Sequence, residues 1–271
     1  MAATRASYRC FDYAFVVECA EPELGARLGR LLAPWASDDA TDGPVYTLVS
    51  SDTSAGAWYH LGRCGEELAV GPDAGDLVDQ LLFSVSTAAF ASTRDHLLVH
   101  AGAVVAPDGT AVLLPGPSGA GKTTLVAGLV RAGFGYLSDE AGAIDPVTLC
   151  VHAFARPLGL KGDARAVFGV AGDGDGVRYL AADDLRPGAT SGPVPVGHVV
   201  APRYERGAPT TVTRMTPAET VLELGATAMN LLDLDDGLAV LAAVARRAPG
   251  ARLVSGDLDA AVAAVRQHTG A

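Results

Sequence analysis

Ala111-Val-Leu-Leu-Pro115-Gly116-Pro117-Ser118-Gly119-Ala120-Gly121-Lys122-Thr123-Thr124 is the stretch from which the rest of the chain takes its order. An apolar run of strand type leads in, and a helical run, Thr124 to Arg131, leads out. Between them, residues 116–123 satisfy G-x4-G-K-[ST] in full. Glycines at 116, 119 and 121 let backbone N–H groups converge on phosphate oxygens with no Cβ in the way. A helix starting near Lys122 turns the positive end of its dipole toward the same anion. Lys122 has the reach for β- and γ-phosphates, and the Thr123 hydroxyl can ligate Mg²⁺. ATP and Mg²⁺ are therefore the expected cofactors. Gly116, Pro117, Ser118, Gly119, Ala120, Gly121, Lys122, Thr123 and Thr124 are the expected nucleotide contacts. The plain alternative is a glycine-rich strand-to-helix turn with no ligand.

Composition narrows the setting. The 271 residues carry 31 acids against 20 bases, a net charge of −11, and only Lys122 and Lys161 among the bases are lysines. With 49% hydrophobic and 19% charged residues the chain is globular. So acidic a chain, without a basic stretch, is a poor binder of nucleic acid or of anionic membrane. Apolar runs are cut short, at Arg131 and at Arg246, so no membrane span is expected. The first 18 residues contain no apolar signal region, which points to a cytoplasmic protein. Cys10, Cys19, Cys64 and Cys150 have no CxxC spacing, which predicts reduced, mostly buried thiols and no zinc site. A chain that otherwise uses arginine keeps Lys122 where a compact ammonium fits a phosphate loop and a planar guanidinium would crowd it. The same habit draws attention to Lys161, for which the alternative is a solvated surface lysine.

The patterning predicts an α/β protein with a mixed sheet. Residues 1–75 read as a small α+β lobe: a strand at 9–18, a helix opened by Pro22, and strand-like runs at 45–49, 57–61 and 66–70. A helix capped by Asp73 joins this lobe to a catalytic domain spanning 76–271. There, His96 to Val105 and Ala111 to Leu114 form a hairpin around Pro107-Asp-Gly-Thr110. Further strands are expected at 134–138, 149–155, 166–170, 195–201, 210–214 and 251–254, and helices at 217–231, 236–247 and 257–268. Gly172-Asp-Gly-Asp-Gly176 reads as a loop; Asp173 and Asp175 begin like a calcium loop, but Val177 takes the next ligand position.

The strand after the helix ends in Asp139-Glu140, only 17 positions beyond Lys122. Two carboxylates should thus sit beside the phosphate loop, one to hold Mg²⁺ and one to take a proton from an attacking hydroxyl or water. His100 alternates with apolar residues and reads either as a satisfied core histidine or as part of the site. Arg156 and Lys161 are candidates to neutralise phosphoryl charge, and Arg203, at a strand end, could reach phosphate but reads better as a surface salt bridge.

His100-Ala-Gly, the glycine loop, and Ala132-Gly-Phe-Gly-Tyr-Leu-Ser-Asp139-Glu140 together resemble the catalytic domain of HPr kinase/phosphorylase and, more distantly, the nucleotide site of ATP-dependent phosphoenolpyruvate carboxykinase. The resemblance is specific over about 96–162 and diffuse beyond. It implies a P-loop kinase fold in which Asp139 is the base toward a serine hydroxyl. Glu140, where HPr kinases have a second Asp, and Thr123 would then serve Mg²⁺, with Asp139 adjoining. His100 would lie near the active centre. Arg156-Pro-Leu-Gly-Leu-Lys161 is similar to the family's Arg-Gly-Leu-Gly segment but departs from it at Pro157 and Lys161, which leaves the reverse, phosphate-driven reaction open. The N-terminal lobe is unlike that of HPr kinases. In this respect the chain resembles kinases encoded with ribosomal peptide pathways, including lasso-peptide tailoring kinases, so the expected acceptor is a hydroxyl on a peptide or small protein. A small-metabolite kinase, a non-catalytic nucleotide-binding module and a homo-oligomeric assembly stay open.

Overall fold

A computed structural model of the chain describes residues 3–39, 42–54, 56–170 and 176–271. Asp173 and Asp175 lie outside the described residues. The chain is mixed α/β and divides into two compact units, Met1–Thr93 with Gly159–Ala181, and Arg94–Leu158 with Ala182–Ala271. Among the described residues no helix is long and apolar enough to cross a membrane.

The first unit opens with β1 (Thr4–Cys10) and β2 (Tyr13–Cys19), then α1 (Pro22–Leu31), β3 (Val45–Thr53), β4 (Gly56–Arg63), β5 (Glu66–Gly71) and α2 (Ala74–Ser92). The five strands pair in chain order, all antiparallel except β2 with β3, which α1 connects as a crossover. The single strand expected at 9–18 is instead a hairpin, because Phe11 takes a left-handed backbone (φ 49°) and reverses the chain. Phe15 is fully buried among the rings of Tyr8, Tyr13, Trp35 and Tyr46. The Asp73 side chain accepts from the Gly75 amide, the expected N-cap of α2. The boundary expected at residue 75 is displaced, since α2 belongs wholly to this unit. So do β12 (Leu158–Leu160) from Gly159 onward, α4 (Asp163–Val167) and β13 (Arg178–Leu180), which return to α2 through Arg178 on Asp73 and Asp76 and through Tyr179 on Asp79. The strand expected at 166–170 is therefore corrected: residues 163–167 are helical, opened by Gly162 in a backbone that carries no side-chain cap.

The second unit contains β6 (Leu97–Val99), β7 (Ala101–Val105), β8 (Ala111–Pro115), α3 (Lys122–Arg131), β9 (Gly135–Ser138), β10 (Gly142–Ile144) and β11 (Cys150–His152). After the excursion come α5 (Ala182–Leu185), β14 (Val194–Tyr204), β15 (Thr211–Met215), α6 (Pro217–Thr227), α7 (Gly237–Arg247), β16 (Gly250–Ser255) and α8 (Leu258–Thr269). These strands form one sheet in the order β6-β10-β11-β14-β8-β7-β9, with β16 parallel to β14 and β15 antiparallel to β16. Residues Ala111 to Pro115 are all buried, as a strand covered on both faces requires. On one face Leu113, Leu137, Val199 and Ala201 pack with Leu224 of α6 and Leu241 and Val244 of α7. On the other, α3 lies against β7 and α8.

His198 of β14 stacks edge-on against His268 of α8, ring centroids 5.4 Å apart, with His198 Nδ1 and His268 Nε2 buried and unbonded. Burial first, then the neighbouring His268, hold the His198 imidazole below its ordinary value of 6.5, against the opposing pull of Asp108. The folded state therefore binds this proton less readily than the unfolded state. The stabilising contribution is complete above about pH 6.5 and is lost as pH falls through the lowered native value. His198→Gln should lose less stability than wild type between about pH 7.5 and about pH 5.5 in urea unfolding; parallel losses would contradict this assignment.

Candidate functional site

Three strands deliver the site to one edge of the sheet. Ala101 at the start of β7 pairs with Pro115 at the end of β8, and Ala103 pairs with Ser138 at the end of β9. The glycine loop that follows β8, His100 ahead of β7, and Asp139 beyond β9 must therefore emerge at the same edge. The adjoining ladder sharpens this. Val99 pairs with Gly142 and Ala103 with Ser138, on either side of an opening formed by 100–102 and 139–141, and the β7–β9 register then shifts by one residue between Ala103 and Val104. Glu140 and His100 meet across that opening. The single strand expected from His96 to Val105 is broken at His100, whose amide leaves the ladder to donate to the Thr227 carbonyl (2.7 Å).

The loop itself is set by backbone. Gly119 and Gly121 take φ of 86° and 88°, where an L side chain is strained by about 1–2 kcal/mol. A Cβ on Gly121 would also stand 3.1 Å from the Cβ of Tyr204, the last residue of β14, whose amide donates to the Ala120 carbonyl (3.1 Å). Gly116 is buried, whereas Pro117, Ser118 and Gly119 are exposed and Ala120, Thr123 and Thr124 half-buried. Helix α3 starts at Lys122 with Gly121 as N-cap and no side-chain cap, so the amides of its first turn have no acceptor within the helix. A glycine cradle with left-handed turns running into an uncapped helix start fits a phosphate-sized anion.

Lys122 is only 6% exposed. Its ammonium donates to the carbonyls of Gly116 (2.7 Å) and Pro117 (2.9 Å), and to His100 Nε2 at 3.0 Å. An ammonium cannot accept, so His100 Nε2 is the acceptor. The ring proton sits on Nδ1, which donates to the Glu140 carbonyl (3.1 Å). Burial, then Lys122, hold the His100 imidazole below its ordinary value, in keeping with a neutral ring. Burial also lowers Lys122, while the charges of Glu140 and Asp139 pull it back up.

Asp139 is buried and Glu140 half-buried. Their turn is pinned by Ser138, whose Oγ accepts from the amides of Glu140 (3.1 Å) and Ala141 (3.0 Å). Glu140 Oε2 accepts from Arg156 Nη1 at 3.0 Å, and Oε1 lies 3.6 Å from His100 Nδ1. Arg156 is held in turn by the buried Tyr136, whose hydroxyl donates to the Arg156 carbonyl. The Thr123 hydroxyl with the two carboxylates is an all-oxygen donor set, which suits a hard cation such as Mg²⁺ better than a soft one. Lys161 is exposed, in the first unit. Arg203 is exposed and pairs with Glu205 at 2.7 Å, a surface salt bridge as expected.

Sequence reading missed three supports. Ser138 was visible as a hydroxyl residue ahead of a turn, the kind that bonds local amides. Tyr204 and Tyr136 act through partners distant in sequence and left no local signal. The chain matches no family model, and no curated protein matches it.

Gly121→Ala should lower the stability of this unit by about 1–2 kcal/mol in urea unfolding. Gly192→Ala, at an open position with no neighbouring atom within 4 Å, should leave it unchanged. Equal effects at the two positions would show that the Tyr204 contact and the left-handed turn are not what holds the loop.

Proposed function

We propose that the chain is an ATP- and Mg²⁺-dependent kinase of the P-loop, HPr-kinase-like type that phosphorylates a hydroxyl, by preference a serine, of a peptide or small protein. The observation that carries this reading is the Lys122 ammonium, bonded into the glycine loop and to His100, whose ring in turn meets Glu140 of the acid pair. An anion cradle alone serves a binder; a carboxylate pair facing it serves group transfer. In this reading the backbone of 116–124, through every amide but that of Pro117, and Lys122 hold the phosphates. Thr123 and Glu140 would hold Mg²⁺, with Asp139 adjoining. Bound there, Mg²⁺ would neutralise phosphate charge. Asp139 accepts the proton of the acceptor hydroxyl as its oxygen bonds to the γ-phosphorus and ADP departs. His100, neutral and accepting from Lys122, keeps the ammonium aimed at the loop. Arg156, on Glu140 at the site edge, is placed to offset charge on the transferred group. With a net charge of −11, the protein favours neutral or basic acceptor peptides.

Asp139→Asn should cut phosphoryl transfer by at least about a hundredfold while ATP still binds. The readouts are mass spectrometry of acceptor pools, peptides and small metabolites separately, and calorimetry for nucleotide. Transfer at the wild-type rate would remove Asp139 from the role. Transfer only to metabolites would reassign the acceptor, and wild-type ATP binding without any transfer would make the chain a nucleotide-binding module.

A further inference from the structure

The opposite end of the β6–β10 pair carries a second set of functional side chains. His100 and Glu140 lie at one end of these two short strands, and His96 and Asp145 at the other. Leu97 pairs with Ile144, and Ile144 with Val151, so His96 falls beside Asp145. His152 is opposite Ala143, two residues from Asp145 and hence on the same face of the sheet. Three strands thus place two imidazoles and a carboxylate together. One ligand atom from each of His96, Asp145 and His152 lies within 4.8 Å of the others, and all three residues are half-buried. The two rings are already in contact, centroids 4.4 Å apart and inclined by 62°.

We propose that His96, Asp145 and His152 form a binding site for one divalent first-row transition ion, zinc by preference. Metal–donor distances of about 2.0–2.2 Å require donors about 3.3–3.6 Å apart around a tetrahedral ion. Small rotations of side chains spaced as these are would close the remaining gap. Two nitrogens and one oxygen, without a thiolate, suit Zn²⁺, Co²⁺, Ni²⁺ or Cu²⁺, whereas Mg²⁺ and Ca²⁺ favour oxygen alone. Three protein ligands leave a fourth position for water.

The surroundings hold the ligands in place. Asp145 Oδ1 accepts from the amides of Val147 and Thr148, both at 2.8 Å, which fixes the carboxylate plane. The Asp145 amide donates to the Cys150 carbonyl (2.9 Å), closing the turn between β10 and β11. The His96 carbonyl accepts from Asn230 Nδ2 at 2.9 Å, which anchors the entry to β6. Among the described residues, no other group of three His, Cys, Asp or Glu donors gathers this closely. The site is independent of the kinase reading, and an ion there would tie β6, β10 and β11 together at the end away from Glu140.

The test uses the full chain, stripped with chelator, then equilibrium dialysis against Zn²⁺ and absorption spectroscopy with Co²⁺. One equivalent should bind, the cobalt form should show visible d–d bands with no thiolate charge-transfer band, and Zn²⁺ should raise the melting temperature. His152→Ala and Asp145→Asn should each weaken binding by at least about tenfold. Asp145→Asn retains the side-chain oxygen that the two amides use, and metal-free melting curves matching wild type would show that both variants fold. His198→Gln, which alters the other close histidine pair, should bind as wild type does. Absence of stoichiometric binding, unchanged affinity in both ligand variants, a thiolate band, or loss through His198→Gln would each overturn the proposal.

Discussion

Lys122 is the lysine whose ammonium is withdrawn from water, and a buried charge of that kind costs several kcal/mol unless its donors are matched. The match here comes from two loop carbonyls and one imidazole nitrogen. Each part exacts its own structure. The carbonyls of Gly116 and Pro117 reach the ammonium because the loop folds back through two left-handed glycines. The imidazole can accept only if its other nitrogen keeps the proton, and the Glu140 carbonyl secures that tautomer. Glu140 is in place because Ser138 pins its turn, and Arg156 faces it because Tyr136 holds the Arg156 backbone. The polar groups at this edge thus form one connected set, in which each member satisfies the next.

The opening in the β6–β7/β9–β10 ladder is what makes room for that set. An uninterrupted antiparallel pair would spend the backbone groups of 100–102 and 139–141 on one another. Here they are redirected: the His100 amide to Thr227, the amides of Glu140 and Ala141 to Ser138, and the Glu140 carbonyl to the His100 ring. Pairing resumes on the far side at Ala103 and Ser138, and a one-residue shift between Ala103 and Val104 takes up the irregularity.

The glycine loop, the helix after it, the hairpin before it and the acid-tipped strand were legible in the sequence, because each depends on contiguous residues with strong local preferences. Helices α6, α7 and α8 were legible for the same reason. What stayed hidden depends on partners far along the chain. The break at His100 cannot be read from Leu97 to Val105, since apolar and small residues run through it on both sides; the cause is Thr227 and the acid turn. Residues 166–170 have the apolar look of a strand, yet Ala166 and Val167 close a short helix and 168–170 turn out of it, an override of local preference by surroundings. Composition suggests mostly buried thiols, but only Cys10 and Cys19 are buried, while Cys64 is exposed and Cys150 half-buried. The His96–Asp145–His152 group escaped because its spacing follows strand register, not sequence interval.

Strand β14 works for two masters. Its first residues pair with β11, its middle runs between β8 and β16, and its last residue supports the glycine loop. A bulge between Val196 and His198 reconciles these neighbours, and Gly197 passes so close to Thr110 that any side chain there would collide. Loops elsewhere in this unit can lengthen at small entropic cost. One residue gained or lost within β14 would instead flip its inward side chains outward and shift Tyr204 from beneath Gly121. Changes in length are thus better absorbed in surface loops than in β14, which sets the spacing between the sheet and the glycine loop.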